Sequence, residues 1–156
     1  MLEIKIPGTE NLKLKYLVCD YSGTLSVDGI LVSGVIEKIR QLSEFLEIHV
    51  LTSDTHGKAV EELKDADCQL QILEGEDHTG QKKDFVEKLG ADSTVAFGNG
   101  RNDIGMLNRA TLSIAVCLVE GCAIEVLDNS DIMVKSSTDA FDLLISPNRL
   151  VATLRR

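Results

Sequence analysis

The fold of this chain is decided by the stretch Tyr16-Leu17-Val18-Cys19-Asp20-Tyr21-Ser22-Gly23-Thr24-Leu25. Its first four residues form a continuous apolar run, which is typical of a strand buried on both faces of a parallel sheet. A polar segment with a glycine follows directly. Ligands of parallel sheets bind beyond the carboxyl ends of the strands. The stretch therefore predicts a central buried strand with a candidate site that begins at Asp20.

Strand-like and helix-like segments alternate along the rest of the chain. We predict strands at 2–6, 12–19, 48–51, 68–73, 94–97, 112–116 and 132–134, and helices capped by Ser33 and near 55–65, 80–89, 102–109, 120–128 and 138–145. Alternation of this kind predicts an α/β fold of three layers, α/β/α and Rossmann-like, with a mainly parallel central sheet.

Two hairpins interrupt the alternation. We predict an N-terminal hairpin within 1–19, turned at Pro7-Gly8-Thr9-Glu10, and a small flap hairpin at 25–32, turned at Asp28-Gly29. No linker, repeat or low-complexity tract divides the chain. We therefore expect residues 1–156 to form a single domain.

The composition restricts the classes of partner. Hydrophobic residues make up 44% of the chain and charged residues 26%, which is a globular balance. The net charge of −9 argues against nucleic acid and anionic membranes as partners. A phosphate site in this chain must therefore create its own positive field from lysine, backbone N–H groups or a cation.

The cysteines favour a reducing compartment. Cys19, Cys68, Cys117 and Cys122 lack the close pairs expected of a zinc site, so buried free thiols are the preferred interpretation. The segment Met1–Pro7 does not have the apolar run of a signal peptide. No apolar stretch reaches the roughly 20 residues that span a bilayer. We therefore expect a cytoplasmic protein that does not enter membranes.

Three further polar segments lie where predicted strands end or a predicted helix begins. Thr52-Ser53-Asp54 follows the strand at 48–51, and Gly98-Asn99-Gly100-Arg101-Asn102-Asp103 follows the strand at 94–97. The segment Asp77–Lys83 opens the helix near 80–89. The carboxyl ends of parallel strands share one edge of the sheet, so these segments are expected to converge.

In this order the segments resemble the haloacid dehalogenase-like superfamily. Its members carry DxxGT after a first strand, Ser or Thr after a second, Lys at a helix start and an acidic Gly-Asp loop after a fourth. The resemblance extends from about residue 14 to residue 156. It implies the superfamily's fold and hydrolysis of phosphate esters or anhydrides.

Within that superfamily the chain looks most like the phosphorylation domains of P-type ATPases. Their acidic loop reads GDGxND, and this chain has GNGRND at 98–103, followed by Met106-Leu107 and the apolar strand Ser113–Val116. The tail, with Ala140-Phe-Asp-Leu-Leu and Arg149-Leu-Val-Ala-Thr-Leu-Arg, fits the same comparison. The chain is thus similar to the soluble P-type ATPase-like phosphatases.

The resemblance implies a chemistry and a set of residues. The Asp20 carboxylate would attack phosphorus and form an acyl phosphate, which divides one difficult step into two. Mg²⁺ is the implied cofactor, because phosphoryl transfer concentrates negative charge. The implied catalytic residues are Asp20, Ser22, Thr52 and Lys82, the phosphate-binding residues are Gly23, Thr52, Ser53 and Lys82, and the metal ligands are Asp20, Ser22, Asn99 and Asp103. The resemblance favours Lys82 over Lys83, because Val86 and Leu89 then follow at the spacing of the ATPase pattern.

Two positions depart from the superfamily pattern. Ser22 stands where active phosphatases usually carry a second Asp that protonates the leaving oxygen. Such acid–base assistance typically contributes about 10²–10⁴-fold to the rate, so we expect a preference for anhydrides, acyl phosphates or aryl phosphates over sugar phosphates. Asn99 stands where the acidic loop normally has a metal-binding Asp, and weaker Mg²⁺ binding is expected.

The segments between motifs are too short for a cap domain. Leu25 to Thr52 holds only a hairpin and a helix, and Ser53 to Lys82 only a helix and a strand. The site should therefore be open. An open site suits a phosphorylated small molecule, a macromolecular phosphate, or a homo-oligomer whose neighbouring copy covers it.

Two alternatives remain. The first is a catalytically weak or inactive module that senses phosphate or binds a protein, which Ser22 and Asn99 favour. The second is a receiver-like signalling domain phosphorylated on Asp20, which would share the Asp–Thr–Lys arrangement. Receivers carry paired acids near their first strand and lack the 98–103 loop, so this alternative is the weaker one.

Overall fold

A six-stranded parallel sheet forms the centre of the computed structural model, which describes all 156 residues. The strands are β1 (Leu2–Ile4), β2 (Leu12–Leu14), β3 (Tyr16–Asp20), β4 (Ser26–Val27), β5 (Ile30–Leu31), β6 (Glu47–Thr52), β7 (Gln69–Ile72), β8 (Thr94–Gly98), β9 (Leu112–Val116) and β10 (Ile132–Val134). The helices are α1 (Val35–Ser43), α2 (Ala59–Glu62), α3 (His78–Leu89), α4 (Ile104–Arg109), α5 (Ile124–Asp128), α6 (Ser137–Ile145) and α7 (Pro147–Leu154).

The order of strands in the central sheet determines where a site can form. The order is β10-β9-β8-β3-β6-β7, and every neighbouring pair is parallel. The chain moves outward from β3 to β6 and β7, then returns to β8 on the other side of β3. Between β3 and β8 the direction reverses, which leaves a crevice at their carboxyl ends. Asp20 ends β3 and Gly98 ends β8, so both lie at this crevice.

The side chains of strand β3 contribute to the hydrophobic cores on both faces of the sheet. Leu17 and Cys19 belong to a cluster of 24 buried residues on one face of the sheet. Val18, between them, belongs to a cluster of nine buried residues on the other face. All three are fully buried. An uninterrupted apolar run is what a strand covered on both faces requires.

Helices cover both faces of the sheet. The larger cluster includes side chains of α1, α2, α6 and α7, among them Ile39 and Phe141. The smaller cluster includes side chains of α3, α4 and α5, among them Val86 and Met106. The predicted α/β/α arrangement with a parallel sheet is therefore confirmed.

The N-terminal hairpin is shorter than predicted. Strands β1 and β2 form a separate antiparallel sheet, and the predicted strand 12–19 is divided at Lys15. The Lys15 N–H donates to the Ser93 carbonyl, and the Lys15 carbonyl accepts from the Glu47 N–H. This residue is exposed, and at this point the backbone exchanges hairpin partners for partners next to the central sheet.

Three predicted helix starts differ from the structure. Helix α1 begins after Gly34 (φ 89°) and not at a Ser33 cap, because no side chain caps its N-terminus. The helix predicted near 55–65 shrinks to α2, since Gly57 (φ 68°) continues a turn and the Asp54 carboxylate accepts from the N–H groups of Lys58 and Ala59 at 2.9 Å. Helix α5 begins at 124 rather than near 120.

Helix α7 was not predicted from the sequence. It begins at Pro147, and proline is favoured in the first turn of a helix, where its missing N–H is not needed. The side chain of Leu150 is fully buried in the larger core cluster. The start signal was present, but only packing against α6 and the sheet makes the segment helical.

The flap hairpin forms as predicted and is anchored to the body. Asp28 (φ 51°) and Gly29 (φ 81°) make the turn between β4 and β5. The Tyr21 hydroxyl donates to the Gly29 carbonyl at 2.7 Å, and the Asp28 N–H donates to the Glu120 carboxylate at 3.3 Å. The flap is therefore held against the protein at its tip.

The cysteines form no disulfide, but only Cys19 is buried; the others are partly exposed. The expectation that all four are buried is wrong for Cys68, Cys117 and Cys122. Burial raises the pKa of the Cys19 thiol, which keeps it protonated and unreactive. None of the helices has the length and apolar character needed to cross a lipid bilayer.

Leu17→Ala is expected to lower the free energy of unfolding by about 2–5 kcal/mol, since it leaves a cavity beneath the central strand. The control is Val60→Ala, because Val60 is 61% exposed and should change the stability by less than about 0.5 kcal/mol. Urea unfolding followed by circular dichroism measures both. Equal effects of the two substitutions would contradict the central position of β3.

Candidate active site

A polar cavity of about 440 Å³ opens at the carboxyl ends of β3, β6 and β8. No hydrophobic residue lines it. The lining residues are Asp20, Ser22, Thr52, Ser53, Thr55, Lys82, Asn99, Gly100, Arg101 and Asn102. Polar segments that are far apart in the sequence thus meet at one edge of the sheet.

A buried lysine connects two buried carboxylates beneath this cavity. The Lys82 Nζ donates to Asp20 Oδ1 at 2.7 Å and to Asp103 Oδ1 at 2.7 Å. A longer bond of 3.3 Å goes to Asn102 Oδ1. The relative exposures of Lys82, Asp20 and Asp103 are 1%, 6% and 0%. The three charged groups therefore interact almost without screening by solvent.

Lys82 is placed by the start of α3. The Asp77 carboxylate caps this helix by accepting from the Gly80 N–H, and Lys82 follows in the first turns. Lys83, one residue further, is exposed. Burial alone would lower the pKa of Lys82, but the carboxylates of Asp20 and Asp103 outweigh it and raise the pKa above its usual value. Lys82 therefore stays positively charged.

The pKa of Asp20 is unusually high for a carboxylate in an ion pair. Burial and then the charge of Asp103 raise its pKa to about 6, although Lys82 and a hydrogen bond from Thr24 act in the opposite direction. Two carboxylates share one lysine, so the three buried side chains carry a net negative charge. The site is therefore suited to binding a proton or a cation.

Asp103 organises the loop that follows β8. Its Oδ2 accepts from the backbone N–H groups of Asn99 at 3.0 Å and Gly100 at 2.9 Å, while Oδ1 accepts from Lys82. Gly98 has no side chain because a Cβ there would lie 2.6 Å from the Asp103 Cβ. Both Asp103 oxygens are thus engaged within the protein, so Asp103 holds the loop and the lysine together.

Two oxygen atoms converge on the Thr24 hydroxyl. Thr24 Oγ1 donates to Asp20 Oδ2 at 2.9 Å and lies 3.2 Å from Asn99 Oδ1. The Asn99 amide is oriented by its Nδ2, which donates to the Gly121 carbonyl at 3.1 Å. The main chain at Gly23 (φ 77°) leaves room for this amide, since a Cβ there would lie 2.3 Å from Asn99 Nδ2. A carboxylate oxygen and an amide oxygen are therefore brought close together.

The hydroxyl groups after β6 differ in burial. Thr52 is buried, and its Oγ1 accepts from the Asp54 N–H at 2.9 Å, which leaves the hydroxyl proton available to the cavity. Ser53 is exposed, and its hydroxyl pairs with that of Thr55 at 3.1 Å. Thr52 is thus a preset hydrogen-bond donor, and Ser53 lies at the rim.

The cavity contains few ionisable groups. Of its lining residues only Asp20, Lys82 and Arg101 carry charge, and no histidine is among them. Ser22 lines the cavity at the position where the superfamily pattern has its second Asp. No second carboxylic acid therefore faces a molecule bound in the cavity.

The oxygen atoms at the site suit a hard cation such as Mg²⁺. The Asp20 carboxylate and the Asn99 amide approach each other through Thr24, and Ser22 lies in the same lining. An all-oxygen set with few charges is typical of Mg²⁺ sites that retain several waters. No group of three or more His, Cys, Asp and Glu side chains is arranged to hold a metal. A cation here would therefore depend on amide, carbonyl and water oxygens beside Asp20.

Sequence reasoning brought most of these residues together but missed some roles. Thr24 was part of the first motif, yet no role was assigned to it, and its hydroxyl connects Asp20 and Asn99. Asn102, which lies 3.3 Å from Lys82 Nζ, was also not assigned. Both residues belong to motifs that are visible in the sequence. Their hydrogen-bond partners are visible only in the structure.

The parallel sheet and the polar cavity at its strand reversal define an α/β protein with its site at the strand ends. A family model described as haloacid dehalogenase-like hydrolase matches residues 86–136. An uncharacterized protein of Methanocaldococcus jannaschii is 48% identical over 61 residues, which are 39% of this chain and 66% of that protein.

Solved structures resemble the chain over most of its length. The cobalt-bound deoxy-D-mannose-octulosonate 8-phosphate phosphatase of Haemophilus influenzae has a TM-score of 0.72 at 16% identity and covers 92% of this chain and 94% of its own. The corresponding Moraxella catarrhalis enzyme, in complex with magnesium and phosphate ions, has a TM-score of 0.65 at 16% identity and covers 91% and 94%. A phospho-aspartyl intermediate analogue of phosphoserine phosphatase has a TM-score of 0.64 at 18% identity and covers 86% and 99%.

The family-model match covers residues 86–136, and the solved phosphatases share the fold over most of the chain. At these identities the structural similarity shows the fold. The closer resemblance to the phosphorylation domains of P-type ATPases stays a prediction.

Asp20→Asn is expected to stabilise the metal-free protein at neutral pH. The pKa of Asp20 is about 6 in the folded chain and near 3.8 unfolded, so the folded chain holds its proton more tightly. The stability that Asp20 contributes is therefore present below about pH 4 and is lost as the pH rises through about 6. The variant should be more stable by on the order of 3 kcal/mol at about pH 7.5, and by little at about pH 4.

Urea unfolding in EDTA at the two pH values measures this difference. Asp92→Asn, at an exposed position, is the control and should change the stability little at either pH. A variant less stable than the parent at neutral pH would show instead that the ion pair of Asp20 with Lys82 outweighs its burial.

Proposed function

We propose that the chain is a Mg²⁺-dependent phosphohydrolase that works through a phosphorylated Asp20. The observation that carries the proposal is the position of the Asp20 carboxylate, 2.7 Å from the buried Lys82 ammonium and in the lining of a wholly polar cavity. The hydrolase family model and the structurally similar phosphatases support the same reaction class.

In the first step a carboxylate oxygen of Asp20 attacks phosphorus. A bond forms between this oxygen and phosphorus, and the bond from phosphorus to the leaving oxygen breaks, with its electron pair leaving on that oxygen. In the second step water attacks the phosphorus of the acyl phosphate. The bond to Asp20 breaks, inorganic phosphate is released, and the proton of the water passes to solvent or phosphate. The phospho-aspartyl analogue of phosphoserine phosphatase supports an intermediate of this kind.

Lys82 and Thr52 are placed to hold the phosphoryl group. All three ammonium protons of Lys82 have acceptors, but the bond to Asn102 is long, at 3.3 Å. We expect this bond to be exchanged for one to a phosphoryl oxygen. The free proton of the Thr52 hydroxyl provides a second donor. Both groups are oriented before the substrate arrives, which lowers the cost of stabilising developing charge.

The residues that would hold Mg²⁺ are Asp20, the Ser22 carbonyl and Asn99. The cation would supply charge neutralisation for the phosphoryl oxygens. A relative with bound magnesium and phosphate ions supports this cofactor. Asp103 was expected among the ligands, but its oxygens accept from Lys82 and two backbone N–H groups. We therefore propose that Asp103 positions Lys82 and the Asn99 loop instead.

The cavity favours substrates whose leaving group needs no proton. The Ser22 hydroxyl does not titrate near neutral pH, and no other acid besides Asp20 lines the cavity. An alkoxide must be protonated as it departs, whereas a carboxylate or a phosphate leaves readily as an anion. Acyl phosphates and phosphoanhydrides are therefore the expected substrates. The same lack of a base should slow the attack of water and let phospho-Asp20 accumulate.

The rival function is a module that binds phosphate without turning it over. Ser22 and Asn99 favour it, because both replace carboxylates of the superfamily pattern. The intact arrangement of Asp20, Lys82 and Asp103 favours catalysis, since binding alone does not require a nucleophile at the base of the cavity.

Incubation with acetyl phosphate and Mg²⁺ is expected to leave covalent phosphate on Asp20. Intact-protein mass spectrometry, with borohydride reduction and peptide mapping of the aspartyl position, detects it. EDTA should abolish the modification, and so should Asp20→Asn. The exposed Asp84→Asn is the matched control and should be labelled like the parent chain.

If no phospho-Asp20 forms while inorganic phosphate still binds in calorimetry, the non-catalytic alternative is favoured. Phosphate on another residue would contradict the assignment of the nucleophile.

Ser22→Asp is expected to extend the activity to alkyl phosphates. The parent chain should hydrolyse acetyl phosphate and hardly any hexose phosphate. The new carboxyl group can protonate an alkoxide and later activate water, so hexose phosphate turnover should rise by about 10²-fold or more. Phosphate release measures both substrates, with Ser22→Ala as the control without an acid. Faster hexose phosphate than acetyl phosphate hydrolysis by the parent would contradict the leaving-group argument.

A further inference from the structure

One cation at the mouth of the cavity has no role in the steps above. Arg101 lines the same cavity as Asp20, but its side chain is 78% exposed. It belongs to the loop after β8 and lies between Gly100 and Asn102, which also line the cavity. Arg101 therefore lies at the exposed edge of the cavity, whereas Asp20 is buried at its base.

The position of Arg101 is fixed by its surroundings. Its Nε donates to Glu125 Oε1 at 2.9 Å. The loop beneath it is held by Asp103, and the Asn99 carbonyl accepts from the Ala123 N–H at 2.9 Å. The two terminal amino groups of the guanidinium donate to no protein group. These are the groups that bind carboxylates and phosphates in pairs.

A structural role does not account for this arginine. An ion pair as exposed as that of Arg101 with Glu125 contributes little to stability. The pair is better suited to orient the guanidinium than to hold the fold together.

Among the positively charged groups of the cavity, Arg101 is the one that remains available to bind the leaving group. Lys82, the other positive group in the lining, is engaged with Asp20 and Asp103. The whole chain has a net charge of −9, so a polyanionic substrate gains no general attraction. The lining also offers no hydrophobic residue, so an aryl or alkyl leaving group would bury nothing against apolar surface.

We propose that Arg101 is a specificity-determining residue that binds a second oxyanion, a carboxylate or a phosphate, on the leaving group of the substrate. The proposal rests on the proposed function and narrows its substrate class. The preferred substrates are acyl phosphates or phosphoanhydrides with a second negative group. Aryl phosphates, expected from the sequence, become poor substrates.

Two acyl phosphates with similar leaving groups test the proposal. Succinyl phosphate carries a distal carboxylate, and acetyl phosphate does not. The parent chain should show a kcat/KM about tenfold higher for succinyl phosphate, mainly through a lower KM. Arg101→Gln should remove this advantage and change acetyl phosphate hydrolysis by less than about twofold.

Two control variants separate substrate contact from general effects. Arg109→Gln removes an arginine whose Nε lies 2.7 Å from Glu87, outside the cavity lining, and should retain the advantage. Glu125→Gln keeps the guanidinium but weakens the contact that orients it, so it should reduce the advantage for succinyl phosphate only in part and leave acetyl phosphate hydrolysis unchanged. Loss of activity on both substrates to the same extent in Arg101→Gln would overturn the proposal, as would an unchanged ratio.

A binding measurement keeps the test independent of turnover. In an Asp20→Asn background, calorimetry should show succinyl phosphate binding about tenfold more tightly than acetyl phosphate, and the difference should vanish when Arg101→Gln is added. Equal affinities for the two probes would overturn the inference about Arg101. Absence of turnover and of phospho-Asp20 in the parent chain, with the affinity difference intact, would overturn only the proposed hydrolase function.

Discussion

The site depends on one buried ammonium group shared between two buried carboxylates. Lys82 lies 2.7 Å from both Asp20 and Asp103 and is almost inaccessible to solvent. Charges are removed from water only when partners compensate for the lost hydration. This interaction joins the end of β3, the start of α3 and the loop after β8. The positions of most other site residues follow from these three elements, because Asn99 and Arg101 are on that loop and Ser22, Gly23 and Thr24 follow β3 directly. Thr52 and Ser53 are placed separately, by the end of β6.

The same interaction is electrostatically incomplete. Two negative groups share one positive group, which is why the pKa of Asp20 is raised despite its ion pair. The imbalance can be relieved by a proton or by a divalent cation. The proposed chemistry uses the cation, which would also neutralise the charge of the phosphoryl group on Asp20. Since Asn99 stands where the superfamily pattern has an acidic residue, the cation would bind less strongly than at a site with two carboxylates. Hydrogen bonds from Lys82 and Thr52 would then carry a larger share of the proposed phosphate binding.

The fold shows how much local patterns can predict. The apolar run before Asp20 predicted a strand covered on both faces. The spacing to Val86 and Leu89 in the ATPase pattern favoured Lys82 over Lys83, and in the structure Lys82 is buried and Lys83 exposed. The Asp28-Gly29 turn was readable because few residues adopt positive φ. Element ends were less accurate. Ser33 has the side chain of a cap but does not make the hydrogen bond, and α7 depends on packing that no local signal reports.

Residue types at strand and helix ends were enough to predict the alternation of strands and helices, the candidate nucleophile Asp20, the lysine Lys82 and the lack of a second acid at Ser22. Which oxygen meets which donor depends on how these elements pack together. Asp103 was expected at a metal, and it accepts from Lys82 and from two backbone N–H groups. Thr24 had no assigned role, and it lies between Asp20 and Asn99. The spacing of residues along the chain shows which of them share one face of a helix or strand. Hydrogen bonds between different elements depend on more: the order of the strands, the conformation of the loops and the limited directions in which each buried polar group can form a hydrogen bond.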